Sequence, residues 1–93
     1  METVINNETD KLFVKILIPT VNAVKDFVST VNNFACTAIL TSNRYTINAK
    51  SIMGVFSLDV SKPLMLTLEK PDTNKTDDRI LLTEAIKDYI VLS

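Results

Sequence analysis

The sequence predicts an α+β fold: a four-stranded antiparallel sheet with three helices on one face and solvent on the other. Three observations support this prediction. The segments 12–18 and 64–68 place apolar residues at every second position, as strands with one buried face do. The segment from Val21 to Phe34 repeats its apolar residues at helical spacing. The length of 93 residues is enough for one hydrophobic core and too short for two.

The first strand covers 12–18 and ends at Pro19, with Leu12, Val14, Ile16 and Ile18 on its buried face. A helix follows, and Thr20 is its predicted N-cap, because a threonine oxygen there accepts a bond from a free backbone N–H of the first turn. The apolar stripe that we expect this helix to bury comprises Val21, Val24, Phe27, Val28, Val31 and Phe34.

The middle of the chain predicts a hairpin and a short second helix. The strands 36–40 and 45–48 are separated by Ser42-Asn43-Arg44, where asparagine tolerates the positive φ of a tight turn. Ser51 is the predicted N-cap of a helix over 52–58, and Pro63 ends the connection that follows.

The fourth strand, 64–68, precedes the last helix. Thr76 is its predicted N-cap, and Asp77 and Asp78 in its first turn favour the positive end of the helix dipole. The order is therefore βαββαβα. The predicted buried stripe of the last helix comprises Leu82, Ala85, Ile86 and Tyr89.

The composition excludes several classes of site. The chain contains no histidine, which removes histidine metal ligands, Ser-His-Asp triads and a phosphohistidine. The single glycine excludes a P-loop or a dinucleotide-binding loop. Cys36 is the only cysteine, and we interpret it as a small core residue rather than a reactive thiol. Tyr45 and Tyr89 are interpreted as packing residues. We expect no metal, no cofactor and no enzyme activity.

The net charge and the N-terminal segment predict the kind of partner and the location of the protein. Ten basic and eleven acidic residues give a net charge of −1, so no basic face for nucleic acid is expected. Residues 1–10 are polar, and we predict a flexible N-terminus followed by one domain over 11–93. The chain start lacks the features of a signal peptide, and no stretch is long enough to span a bilayer. These features predict a cytoplasmic protein without a membrane partner.

The second helix is more apolar than its structural role requires. If Val55 and Leu58 face the sheet, then Ile52, Met53 and Phe56 share the opposite flank. This flank is either a protein contact or is covered by another helix or loop. Ser51 has two interpretations as well. It is a plain N-cap, or it is a phosphorylation site whose added charge the helix N-terminus stabilises.

The run from Asn48 to Leu58, with Lys-Ser-Ile-Met-Gly-x-x-Ser-Leu beginning at Lys50, resembles the signature of the histidine-containing phosphocarrier (HPr) family of the bacterial sugar phosphotransferase system. The likeness extends without a gap from about Thr20 to about Leu68. The resemblance implies an HPr-like open-faced β-sandwich. In that fold the first strand lies beside the fourth, followed by the second and then the third.

The resemblance also implies that the phosphate-carrying site is lost. Members of the family carry phosphate on a histidine at the start of the first helix, with an arginine two residues on and a proline after it. The alignment places Thr20 at the histidine, Asn22 at the arginine and Ala23 at the proline. A phosphothreonine ester is too stable to pass its phosphate on, so the resemblance implies no catalytic residue here.

The family's second site is a regulatory serine that a dedicated kinase phosphorylates from ATP, and it matches Ser51. The apolar residues that the family uses to contact partners match Ile52, Met53 and Phe56. Loss of the histidine with retention of the serine is similar to the catabolite-repression HPr paralogue. That paralogue keeps the arginine, whereas this chain has Asn22.

The function expected from this resemblance is a non-catalytic regulatory or protein-binding module acting through the short helix and Ser51. Its candidate partners are the HPr kinase, a transcription regulator and an enzyme I-like protein, and the chain itself is expected to be a monomer or weak homodimer. One alternative is a diverged HPr paralogue whose partner lies outside the phosphotransferase system. A working phosphocarrier is the other.

Overall fold

A computed structural model of the chain describes residues 4–6, 11–42, 45–71 and 76–91. Five strands, three α-helices and one 3₁₀ turn are found there. In chain order they are β1 (Val4–Asn6), β2 (Lys11–Ile16), α1 (Val21–Val31), β3 (Thr37–Ser42), β4 (Tyr45–Asn48), α2 (Ile52–Phe56), β5 (Leu64–Glu69), α3 (Arg79–Ala85) and the 3₁₀ turn Lys87–Tyr89.

The strands form one antiparallel sheet in the order β1-β2-β5-β3-β4. The predicted order is confirmed for the four predicted strands, since β2 lies beside β5, which lies beside β3, which lies beside β4. Leu66 in the central strand faces Val14 on one side and Leu40 on the other. All three side chains are buried, so this row anchors the sheet to the helical layer.

The segment 1–10, predicted to be flexible, contains a short strand at Val4–Asn6. These residues form β1 and pair with β2 from Val4 opposite Phe13 to Asn6 opposite Lys11. The physical reason is the edge of the sheet: without β1, the outer side of β2 leaves backbone N–H and C=O groups without partners. The rest of the predicted flexible segment lies outside the described residues.

The far end of β2 is covered by the C-terminal segment. The Leu17 N–H donates to the Tyr89 carbonyl at 2.8 Å, and the Val91 N–H donates to the Lys15 carbonyl at 2.9 Å. Ile90 forms an isolated antiparallel bridge with Ile16. The two terminal segments therefore divide the outer edge of β2 between them, which protects this edge from pairing with another chain.

The core lies between the sheet and the helices. The predicted strand residues Leu12, Val14, Ile16 and Ile18 are all buried. The stripe of α1 is confirmed at Val24, Phe27, Val28 and Val31. Two members of the predicted stripes are exposed instead, because each points away from the sheet: Val21 at the start of α1, which is 58% exposed, and Ala85.

Two predicted N-caps are confirmed and a third is wrong. The side chains of Thr20 and Ser51 cap α1 and α2 as predicted. The helix α3 begins at Arg79 rather than next to Thr76, and its N-cap residue Asp78 makes no side-chain capping bond. The carboxylate of Asp78 is held by a distant loop, as described below. The turn residues Asn43 and Arg44 and the loop residues 72–75 lie outside the described residues.

The described residues offer neither a membrane-spanning helix nor a metal-binding cluster. None of their helices is both long and apolar enough to cross a membrane. The same residues contain no group of three or more His, Cys, Asp or Glu side chains arranged to hold a metal ion.

Candidate functional site

The start of α1 is the first place where the sequence predicts a lost site. The Thr20 Oγ1 accepts a hydrogen bond from the Ala23 N–H at 3.0 Å, and the backbone of Thr20 is extended. This is the geometry of an N-cap, in which the side-chain oxygen satisfies a free amide of the first turn. The hydroxyl has a structural task, and the exposed Asn22 side chain brings no positive charge to this end of the helix.

The second candidate site is the start of α2. The Ser51 Oγ accepts a hydrogen bond from the Gly54 N–H at 3.2 Å, so the serine is an N-cap. A Cβ at Gly54 would lie 3.2 Å from the Ser51 Oγ, so a larger residue there would require the capping hydroxyl to shift slightly. Ser51 is also exposed, so its hydroxyl is open to a modifying enzyme.

Ile52, Met53 and Phe56, named here the α2 patch, are 37%, 77% and 38% exposed. Val55 and Leu58 are buried against the core. The predicted division of this helix into a core face and an exposed apolar face is therefore confirmed. The alternative that another helix or loop covers the α2 patch is wrong for the described residues. Its role in binding a partner stays a prediction.

A polar link fastens the start of α2 to the end of α1. The Lys50 Nζ donates to the Phe34 carbonyl at 2.7 Å. The Asn32 Nδ2 donates to the Lys50 carbonyl at 3.0 Å and to the Val28 carbonyl at 2.8 Å. Lys50 is thus held toward the α1–β3 loop rather than toward Ser51. This link fixes the position of the α2 patch relative to α1.

A second polar link joins the same loop to α3. The Asp78 carboxylate accepts hydrogen bonds from the Ala35 N–H at 2.6 Å and the Cys36 N–H at 3.0 Å. Burial acts to raise the pKa of Asp78, but the backbone bonds from Ala35 and Cys36 outweigh it and lower the pKa. The carboxylate therefore stays ionised and closes the loop onto α3.

The interpretation of Cys36 as a core residue is confirmed. Its side chain is buried, and burial raises the pKa of the thiol to about 12, with the negative charge of Asp78 adding to the effect. A thiol with such a pKa is a poor nucleophile at neutral pH.

The two tyrosines differ from each other. Tyr45 is 66% exposed, so its interpretation as a packing residue is wrong. Tyr89 packs against the core with part of its ring, and its hydroxyl donates to the Asp26 carboxylate at 2.7 Å. That hydrogen bond, with smaller contributions from burial and nearby acidic charge, raises the pKa of Tyr89 to about 12. The bond ties the C-terminal segment to α1.

Sequence reasoning identified the α2 patch but missed Lys50 and Asp78 as linking residues. Ala35 and Asp78 are separated by 43 positions, and no local pattern connects two residues so far apart. Asp77, interpreted with Asp78 as part of the first turn, forms a bidentate pair with Arg79 instead, at 2.6 and 2.9 Å.

Comparison with known proteins assigns the family. A family model described as the PTS HPr component phosphorylation site matches residues 21–88, which is most of the chain. The chain therefore belongs to the HPr family, whose members are phosphocarrier proteins of the phosphotransferase system and interact with other proteins of that system. No curated protein sequence matches it significantly.

Two solved structures support the fold. The crystal structure of a phosphocarrier protein HPr from Bacillus anthracis str. Ames matches with a TM-score of 0.67 and 22% identity, covering 87% of this chain and 98% of that chain. The crystal structure of HPr-C-His from Thermoanaerobacter tengcongensis matches with a TM-score of 0.61 and 28% identity, covering 82% of this chain and 86% of that chain. At these identities the likeness concerns the architecture, and the residues of this chain must carry its function.

Proposed function

We propose that this chain is a regulatory, protein-binding member of the HPr family that does not carry phosphate on histidine and is not an enzyme. The observation that carries the proposal is the α2 patch. Its three large apolar side chains are exposed, while Val55 and Leu58 on the other side of the helix are buried in the core. Apolar anchors such as methionine and phenylalanine are typical of the centres of protein interfaces.

The start of α1 supports the part of the proposal that excludes phosphate transfer. The sequence has no histidine, and the hydroxyl of Thr20 is bound to the Ala23 N–H. Phosphoryl transfer needs a nearby cation to stabilise the charge that develops on the phosphoryl oxygens. Asn22 is neutral and offers no such charge.

Ser51 is proposed as the switch for the α2 patch. A phosphate there adds a charge of about −2 at a helix N-terminus, where the dipole and the free N–H groups stabilise it. The fold is retained, while the preference for a partner changes because the new charge lies directly beside Ile52. The Lys50 ammonium donates to the Phe34 carbonyl and does not neutralise the phosphate on Ser51, so the negative charge of the phosphate stays accessible to a partner.

The phosphorylation experiment has two arms, both read by intact mass. Incubation with phosphoenolpyruvate, enzyme I and Mg²⁺ is expected to leave the protein unmodified, and Thr20→His is expected to accept phosphate weakly at most, because Asn22 is still neutral. Incubation with ATP and the HPr kinase is expected to add one phosphate to the wild type and none to Ser51→Ala. Acid-labile phosphate on the wild type in the first arm would overturn the proposal. No mass gain in the second would reduce Ser51 to a structural N-cap.

A second candidate is a diverged paralogue whose partner lies outside the phosphotransferase system. Two residues favour it. Asn22 replaces the arginine implied by the family resemblance, and Asp59 places an exposed negative charge shortly after α2. Failure to bind both the HPr kinase and enzyme I, with the α2 patch still able to capture a different protein, would favour this candidate.

A further inference from the structure

A cleft of about 290 Å³ opens at one end of the sheet, between the end of β3 and the loop that precedes β5. Its volume is at the lower end of the range of small-molecule sites, which begins at roughly 300 Å³. Neither the α2 patch nor the start of α1 contributes to it. The residues of the cleft used below are Lys15, Thr41, Ser42, Asp59, Lys62 and Met65, and the site is named here the Lys15 cleft.

Three of these residues form one row across the sheet. Met65 in β5 faces Lys15 in β2 on one side and Thr41 in β3 on the other. Each of the three alternates along its strand with buried residues, so the row lies on the face opposite the helices. On the outer side of β2 the row is flanked by the C-terminal segment, since the Val91 N–H donates to the Lys15 carbonyl. The cleft therefore has a floor of strand residues.

Three polar side chains of the cleft have no partner among the described residues. Among the residues that the structure describes, the Lys15 ammonium has no carboxylate within 4.0 Å. The side-chain hydroxyls of Thr41 and Ser42 make no hydrogen bond to another described residue. The Lys15 and Thr41 side chains lie on the same face of the sheet and line the same small volume, whereas Ser42 follows Thr41 directly in β3 and its side chain alternates to the other face.

The remaining charges of the cleft leave it positive. The Asp59 Oδ1 accepts bonds from the Ser61 N–H at 3.2 Å and the Ser61 hydroxyl at 2.5 Å, and its Oδ2 lies 3.9 Å from the Lys62 ammonium. One carboxylate thus stands against two ammonium groups. The excess of one positive charge attracts an anion to the cleft.

We propose that the Lys15 cleft binds a small organic phosphate monoester. The three terminal oxygens of the phosphate accept bonds from the two ammonium groups and the Thr41 hydroxyl, and the double negative charge of the monoester suits two ammonium groups better than the single charge of a carboxylate does. The organic group lies against the apolar surface of Met65. Because the site is shallow and wet, its Kd is roughly 1–10 mM.

The test is a titration of the labelled full chain followed by amide NMR, with phenyl phosphate, inorganic phosphate and phenol as separate probes. Phenyl phosphate is expected to give saturable shifts at Thr41, Ser42 and Met65. Inorganic phosphate and phenol each supply only half of the ligand. Each is expected to bind at least about threefold more weakly than phenyl phosphate. Added salt weakens the phenyl phosphate interaction, because the lysines are exposed.

Matched variants distinguish binding in the Lys15 cleft from a general effect of net charge on affinity. Lys15→Gln is expected to weaken phenyl phosphate about three- to fivefold, whereas Lys25→Gln, on the exposed face of α1, leaves it unchanged. Asp59→Asn removes the opposing charge and is expected to tighten binding. Should Lys15→Gln fail to fold, Lys62→Gln makes the same comparison.

Two results would overturn the proposal. The first is shifts that map to the starts of α1 or α2 rather than to the cleft, or that never saturate. The second is an equal loss of affinity in Lys15→Gln and Lys25→Gln, which would reduce the effect to net charge.

Discussion

At the scale of single residues, Asp78 connects two elements that lie far apart in the sequence. Its carboxylate accepts two backbone N–H bonds from the α1–β3 loop, at Ala35 and Cys36, while its own backbone begins α3. Hydrogen bonds to a charged acceptor contribute more than neutral ones, and removing the acceptor leaves partly buried donors unpaired. One side chain thus fastens the last helix to the loop that follows the first.

Replacing Asp78 by asparagine is expected to lower the free energy of unfolding by about 1–3 kcal/mol, because an amide accepts less strongly than a carboxylate and retains only one acceptor oxygen. Urea unfolding followed by circular dichroism measures the change. Asp88→Asn is the matched control, since Asp88 is exposed and accepts no side-chain hydrogen bond from another described residue. Equal effects of the two substitutions would contradict the role given to Asp78.

The Tyr89–Asp26 hydrogen bond gives a second prediction at this scale. The chain has two tyrosines and no tryptophan, so Tyr45→Phe leaves Tyr89 as the only phenol. Its ultraviolet titration is expected to have a midpoint near 12 in the folded protein, because the Asp26 bond raises the pKa of Tyr89. A raised folded pKa stabilises the fold at lower pH, and this contribution is lost as the pH rises from about 10 to 12. A midpoint near 10 while the protein remains folded would show that the bond is absent.

At the scale of elements, local sequence patterns predicted the features that depend on neighbouring residues, namely N-caps and the buried faces of strands. Thr20 and Ser51 were recognised as N-caps because a cap bonds to an amide only three residues away. The buried faces of β2 and β5 followed from period-two spacing. The start of α3 and the existence of β1 depend on partners far away in the chain or on the edge of a neighbouring strand. No local sequence pattern indicates such distant contacts, so the sequence predicted neither the start of α3 nor β1.

Deleting residues 1–6 tests the role of β1. The deletion is expected to retain the fold and to lower the free energy of unfolding by about 1–3 kcal/mol, because a three-residue strand contributes only a few backbone bonds to β2. Deletion of residues 1–3 alone removes no part of β1 and serves as the control. Urea unfolding compares the two, and an identical stability of both proteins would mean that β1 does not contribute.

At the scale of the whole molecule, the three polar links join every helix to its neighbours. Lys50 and Asn32 hold α2 to the end of α1, Asp78 holds α3 to the α1–β3 loop, and the Tyr89 hydroxyl holds the C-terminal segment to α1. The helical layer is therefore fastened by charged and polar groups as well as by the core. Its stability should depend on pH.

Acid is expected to destabilise the whole fold. The pKa of Asp78 in the folded protein lies below its ordinary value of 3.8, so its contribution is present above that pH and is lost as the pH falls through the folded pKa. Asp77, whose pKa is lowered chiefly by the hydrogen bond from Arg79, acts in the same direction. The free energy of unfolding, measured from pH 6 down to about pH 2, should fall less steeply in Asp78→Asn. Identical slopes would contradict this.

The candidate site was predicted in part. The exposed face of α2 followed from the count of apolar residues on a helix too short to bury both flanks, and the structure confirms that exposure. The link from Lys50 to the Phe34 carbonyl did not follow, because it depends on where the α1–β3 loop passes. The Lys15 cleft needs the strand register of three strands and is invisible in the sequence of any one of them.

The most direct test of the proposed function is the binding of the labelled chain to the HPr kinase and to enzyme I, with the contact surface mapped by amide shifts. The account predicts shifts centred on residues 51–57 and a loss of affinity of about tenfold or more in Phe56→Ala. Leu81→Ala, which removes a still more exposed apolar side chain from α3, should bind as the wild type does. Unchanged affinity of Phe56→Ala, or shifts that map away from α2, would contradict the account.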